Sequence, residues 1–178
     1  MNLKSLMLGA ATAISLSTGA MAADYYSGSP ATDIYSGAMY NSFEGAYAGI
    51  VGGGYLGDVD GNINGGALGI AAGVNFAMSD LILAGLEFQG GLMWPKSGWD
   101  WDAYALGHLG FVVTDGVMAY GAAGLGTTAG NGSYAFGGGV EVAAFNPVTV
   151  RGEILGVGEW GTAPSAVKAT AGVLFHFN

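Results

Sequence analysis

From residue 43 to residue 177, larger apolar residues and small or polar residues alternate with a period of two. That is the period of strands whose two faces meet different surroundings. Leu68, Ile70, Ala72, Val74, Phe76 and Met78 share one face of such a run, opposite Gly65, Ala67, Gly69, Ala71, Gly73 and Asn75. The next run repeats the pattern, with Ile82, Ala84, Leu86, Phe88, Leu92 and Trp94 opposed by Glu87, Gln89 and Gly91. Eight runs are predicted, at 43–55, 64–78, 81–94, 101–113, 117–127, 133–145, 147–157 and 166–177. Each reaches the roughly 9 to 11 tilted residues that cross a bilayer as a strand. The face that carries polar residues is otherwise built of Gly and Ala, as the crowded inside of a small barrel with lipid outside requires. The pattern therefore predicts an all-β fold over 43–178, an eight-stranded antiparallel up-and-down transmembrane β-barrel. Two membrane helices in 65–94 are excluded, because each half is short, Gly-rich and separated by Ser79-Asp80.

The connections alternate in length. Tight turns are predicted at 79–80, 114–116 and 145–147, and longer loops at 56–63, 95–100, 129–132 and 158–165. Short periplasmic turns and long extracellular loops are the asymmetry of outer-membrane barrels, and an even strand number puts both termini on the periplasmic side. Aromatic residues fall at two levels. Trp94, Trp99, Trp101 and Trp160 lie at the loop ends, and Phe43, Phe76, Phe111, Phe145, Phe175 and Phe177 at the turn ends, as two interfacial girdles would.

Composition narrows the picture. Residues 1–22 carry Lys4, an apolar stretch and Ala20-Met21-Ala22, the layout of a signal peptide. Residues 23–42, by their Gly, Ser and Pro content, read as a flexible periplasmic linker. There is no cysteine, so an exported chain must be stabilised without disulfides. Beyond Lys4, three cations (Lys96, Arg151, Lys168) stand against thirteen acids. Nucleic acid is excluded as a partner, since phosphate binding needs clustered cations.

Taking the large apolar residues as lipid-facing turns Glu44, Glu87, Asp102, His108, Glu141, Arg151, Glu153, Lys168 and His176 inward. Centring the hairpins on Asn146 and on 95–100 sets Glu141 opposite Arg151 and Glu87 opposite His108. An interior polar network of Glu87, His108, Glu141, Arg151, Glu153 and Lys168 is expected, as filling for a structural barrel or as lining of a narrow pore. The inward Gly and Ala residues keep the pore alternative open. Catalysis is not expected, because both histidines face inward and no outward serine neighbours one. Asp58, Asp60 and Asn62 alternate like the start of a calcium loop without its closing glutamate, and read as a solvated turn. No metal or cofactor is implied.

Thr170-x-Gly172-x-x-Phe175-x-Phe177 resembles the carboxyl-terminal signal read by the barrel-assembly machinery, although Asn178 follows the aromatic on which that signal usually ends. The first run, with Gly45, Tyr47, Gly49 and Gly53, resembles the opening strand of outer-membrane-protein-A-like and alphaproteobacterial porin-family barrels. "GHLGF" at 107–111, "GGGVEVA" at 137–143 and "VRGEI" at 150–154 resemble later strands, with His108 where those relatives commonly have arginine. The resemblance implies a structural or surface-exposed protein of the Gram-negative outer membrane, or a narrow passive porin for ions or small solutes. Its implied partners are outer-membrane lipid, lipopolysaccharide and the barrel-assembly machinery.

Overall fold

A computed structural model describes residues 43–57, 63–96, 98–114 and 116–177. The expected signal peptide (1–22), linker (23–42), Asp58 to Asn62 segment and Asn178 lie outside the described residues.

All regular elements described are strands: β1 (Gly45–Gly57), β2 (Gly65–Ser79), β3 (Ile82–Pro95), β4 (Asp100–Thr114), β5 (Val117–Thr128), β6 (Asn131–Phe145), β7 (Val148–Glu159) and β8 (Ala166–Phe177). Each pairs antiparallel with its neighbours in sequence, and β8 returns to β1, from Ala46↔Phe177 to Gly57↔Ala166. The result is a closed eight-stranded barrel with no free edge.

Parity sorts the side chains as the sequence pattern requires. Leu68, Ile70, Leu86, Leu92 and Ile154 are exposed on the outside, whereas Ala67, Ala71, Asn75, Glu87 and Gln89 are buried within. A large apolar side chain gains about 1.5 to 3 kcal/mol on leaving water. On this surface the gain is made only when something apolar covers the wall, and water-exposed apolar patches of this extent are foreign to soluble monomers.

The two aromatic levels are present, with one exception. Trp94, Trp99, Trp101 and Trp160 are exposed at the loop end, and Phe76, Phe111, Phe145, Phe175 and Phe177 at the turn end. Phe43 departs from its expected place in the girdle. It is 0% exposed, sits edge-on to His176 at 6.5 Å, and its carbonyl accepts a hydrogen bond from Asn75 Nδ2 at 2.9 Å. Phe43 shares the inward parity of Tyr47, Val51 and Tyr55. Glu44, expected to face inward, lies on the opposite parity, precedes β1 and is only partly buried.

The turns of β2–β3, β4–β5 and β6–β7 each span two residues, and each follows a register shift, at Ala77/Ser79, Val112/Thr114 and Ala143/Phe145. A β-bulge inserts one extra residue and so inverts parity beyond it. That inversion turns Phe145 outward, although its odd number would place it on the inner face of β6. The expected long loop at 129–132 is instead a two-residue turn. Asn131 pairs with Thr128, and Ala129 and Gly130 take φ of 52° and 84°. Two consecutive positive φ values match the strand twist of a tight hairpin, so Asn131 and Gly132 join the ladder.

Candidate functional site

The candidate site is the barrel interior. Arg151 faces inward from the first third of β7, directly opposite Glu141 of β6. Its Nη2 and Nε donate to Glu141 Oε2 at 3.0 and 3.2 Å, while Nη1 reaches across the lumen to Glu87 Oε2 on β3. The guanidinium lies between two rings, with Cζ 5.3 Å from the centroid of Tyr47 and 5.2 Å from that of Tyr120. Both distances are within cation–π range.

From this centre the network runs towards both ends. Tyr47 donates to Glu87 Oε2 at 2.6 Å, and Tyr120 to Glu153 Oε2 at 2.8 Å. Gln89 Nε2 bridges Glu87 Oε1 (2.8 Å) and Glu153 Oε1 (2.7 Å). Lys168 Nζ donates to Asp102 Oδ2 at 2.7 Å and Gln89 Oε1 at 3.3 Å, flanked by the rings of Tyr55 and Tyr104. Tyr55 also donates to Asp102. Towards the turn end, Glu141 Oε1 accepts from Thr149 at 2.7 Å and lies 2.8 Å from His176 Nε2. Charges this far from water are tolerable only when paired and hydrogen-bonded.

The expected Glu87–His108 opposition is corrected. Glu87 pairs with Leu106, and His108 with Gly85, a slip of two residues that preserves the facing. The β3–β4 ladder continues to Met93↔Asp100, and the rings of Trp94 and Trp99 meet at 5.7 Å above it. The hairpin axis thus lies one position earlier than the sequence suggests. Glu87 and His108 still meet diagonally, His108 Nε2 lying 3.7 Å from Glu87 Oε1 and its ring stacking on Tyr120 at 5.0 Å.

Glu87, His108, Glu141, Arg151, Glu153 and Lys168 are thus all buried on one connected inner surface, with Asp102 and His176 joining it. On β8, Gly172 pairs with both Arg151 and Val51, and Thr170 shares its inward parity. Phe175 and Phe177 point outward, their rings 5.3 Å apart.

Sequence reasoning missed the tyrosines of the network. Tyr47, Tyr104 and Tyr120 each lie directly opposite an inward glycine, at Gly73, Gly126 and Gly139 respectively. A Cβ added at Gly73 or Gly139 would fall 2.5 Å from the neighbouring phenol oxygen, and one at Gly126 would fall 2.5 Å from the Tyr104 ring. Ring and glycine therefore occupy one shared volume. Their parity, shared with the inward residues of the same strands, was the signal available. The void beside Gln89, Asp102 and Lys168 measures ≈ 10 Å³, enough for about one water.

No family model matches the chain, and no curated protein matches it in sequence. A solved structure from work on the de novo design of transmembrane β-barrels is similar in fold at a TM-score of 0.47 and 15% identity, over 74% of this chain and 95% of that one.

Proposed function

We propose that the protein is an outer-membrane barrel of a Gram-negative envelope, structural or surface-exposed, without catalytic activity, and of the outer-membrane-protein-A-like or alphaproteobacterial porin-family type. The filled interior carries this reading. Side chains from facing walls, among them Tyr47, Gln89, Tyr120, Glu141 and Arg151, meet in the lumen and are buried there. A conducting path would require the Arg151 bridge to Glu87 and Glu141 to open against the cost of separating buried charges. Placement in the membrane is supported by the apolar wall, the two aromatic levels and strands of 12 to 15 residues. Outer-membrane lipid and lipopolysaccharide are its proposed surroundings, and Phe175 and Phe177 are proposed to be read by the barrel-assembly machinery. Both histidines face the interior, away from the lipid-facing surface where a lipid-modifying barrel would hold its triad.

Planar-bilayer recording tests the function. Refolded protein is expected to show no discrete conductance, and reproducible single-channel steps would replace this reading with the narrow-porin one. Orientation is tested on intact cells. A cysteine at Ala163, in the β7–β8 connection, should react with an impermeant thiol reagent, and one at Asn146 should not; the reverse result overturns the proposed topology.

A further inference from the structure

We propose that the barrel interior binds one divalent cation of the zinc class between Glu87, His108 and Glu153. His108 is 8% exposed, and its Nε2 is buried without a hydrogen-bond partner. A buried imidazole nitrogen left this way is costly in an otherwise connected network. It lies 3.7 Å from Glu87 Oε1, and one donor atom from each of Glu87, His108 and Glu153 falls within 4.8 Å of the others. Around a tetrahedral ion with bonds of about 2.0 to 2.1 Å, neighbouring ligand atoms stand about 3.3 to 3.5 Å apart. Small side-chain movements therefore close the site.

The carboxylates are already oriented for it. Glu87 Oε2 is held by Tyr47 and Arg151, and Glu153 Oε2 by Tyr120. Each leaves its Oε1 directed at Gln89 Nε2, which occupies the bridging position a cation would take. On binding, the ion assumes that bridge and the Gln89 amide withdraws from it. Outer hydrogen bonds of this kind fix ligand orientation at metal sites. One imidazole with two carboxylates suits zinc better than calcium or magnesium, which favour all-oxygen sets.

Charge supplies an independent argument. Four carboxylates are buried in the described interior (Glu87, Asp102, Glu141, Glu153) against two permanent cations (Arg151, Lys168). With both histidines neutral, two negative charges are uncompensated. One dication restores balance and uses His108 in the neutral form that ligates metal. Because the lumen is closed once the strands have met, the ion is captured as the barrel forms.

The test refolds the full chain into detergent micelles with Co²⁺ as a spectroscopic stand-in for zinc, followed by desalting and metal analysis. Wild type should retain about one Co²⁺ per barrel with the intense visible absorption of a tetrahedral site, bleached when Zn²⁺ is present during refolding. His108→Leu and Glu153→Gln should each lower retention at least tenfold, and His176→Gln should retain it. Absence of Co²⁺ from folded wild type overturns the proposal. Equal retention by His108→Leu also overturns it. Should that variant fail to refold, Glu153→Gln, which keeps the shape of the side chain, decides by the same criterion.

Discussion

Tyr120 lies across Gly139, its phenol oxygen 2.5 Å from where a Cβ on that glycine would stand. The two residues are direct partners on β5 and β6, and the hydroxyl continues to Glu153. A side chain at 139 would meet the Gly152 carbonyl oxygen as well as the phenol, and displacing the ring breaks that hydrogen bond. Gly139→Val is expected to lower the refolding free energy in lipid vesicles by about 1 to 3 kcal/mol, the usual cost of overpacking. Gly152→Ala, where a Cβ meets nothing within 4 Å, is the control. Equal losses in a urea titration would show that ring and glycine do not share volume.

Arg151 joins two carboxylates from opposite walls. Replacing it by Met leaves Glu87 and Glu141 buried without their cation, and the stability loss should be about 3 to 5 kcal/mol. Adding Glu87→Gln and Glu141→Gln to Arg151→Met removes the unmatched charges and should recover part of that loss. A triple variant no more stable than the single one would mean that the guanidinium matters for packing between Tyr47 and Tyr120, and not for charge.

Ile154 stands at the middle of β7 and is 61% exposed. An arginine there should cost about 2 to 4 kcal/mol in bilayers, the penalty of a midplane charge on a barrel's lipid face. Gly152→Ser, two residues away on the same face, should cost much less. The refolding free energies of the two variants should therefore differ clearly in vesicles, and a small difference would mean that this face does not meet lipid.

Phe177 is outward and packed against Phe175. Phe177→Ala should reduce the heat-modifiable, folded form in the outer-membrane fraction of cells, while barrel refolded in vitro keeps most of its stability. Loss in both settings would place the role of Phe177 in folding itself and not in recognition during assembly.

Parity made most of the fold legible. Period-two alternation gave eight strands within about two residues of their observed ends, because lipid and lumen impose opposite demands on successive residues. The same parity placed Glu87, Glu141, Arg151 and Lys168 inside. Four features were not read correctly from it. At Phe43 and Glu44 parity with Tyr47, Val51 and Tyr55 gives the right faces, and it is the aromatic girdle and the charge of Glu44 that point the wrong way. The Glu87–His108 register depends on how many residues the β3–β4 connection consumes, a length that strand periodicity does not show. Phe145 faces outward through a bulge that periodicity does not show. The cross-lumen bonds, such as Arg151 to Glu87, join strands β7 and β3, which are not neighbours, and no local pattern encodes them.

The β1–β8 seam differs from every other junction in the wall. Seven junctions are hairpins whose first pairs form about ten or fewer residues apart, whereas the nearest partners across the seam, Gly57 and Ala166, are about 110 residues apart in sequence. Closing the longer loop costs about 2 kcal/mol more chain entropy, and it requires the first strand to wait for the eighth. Until then an open eight-strand sheet carries two unpaired edges, β1 and β8, each a template for another chain. The rate of making this one junction, more than the stability of the finished wall, therefore governs the competition between folding and aggregation.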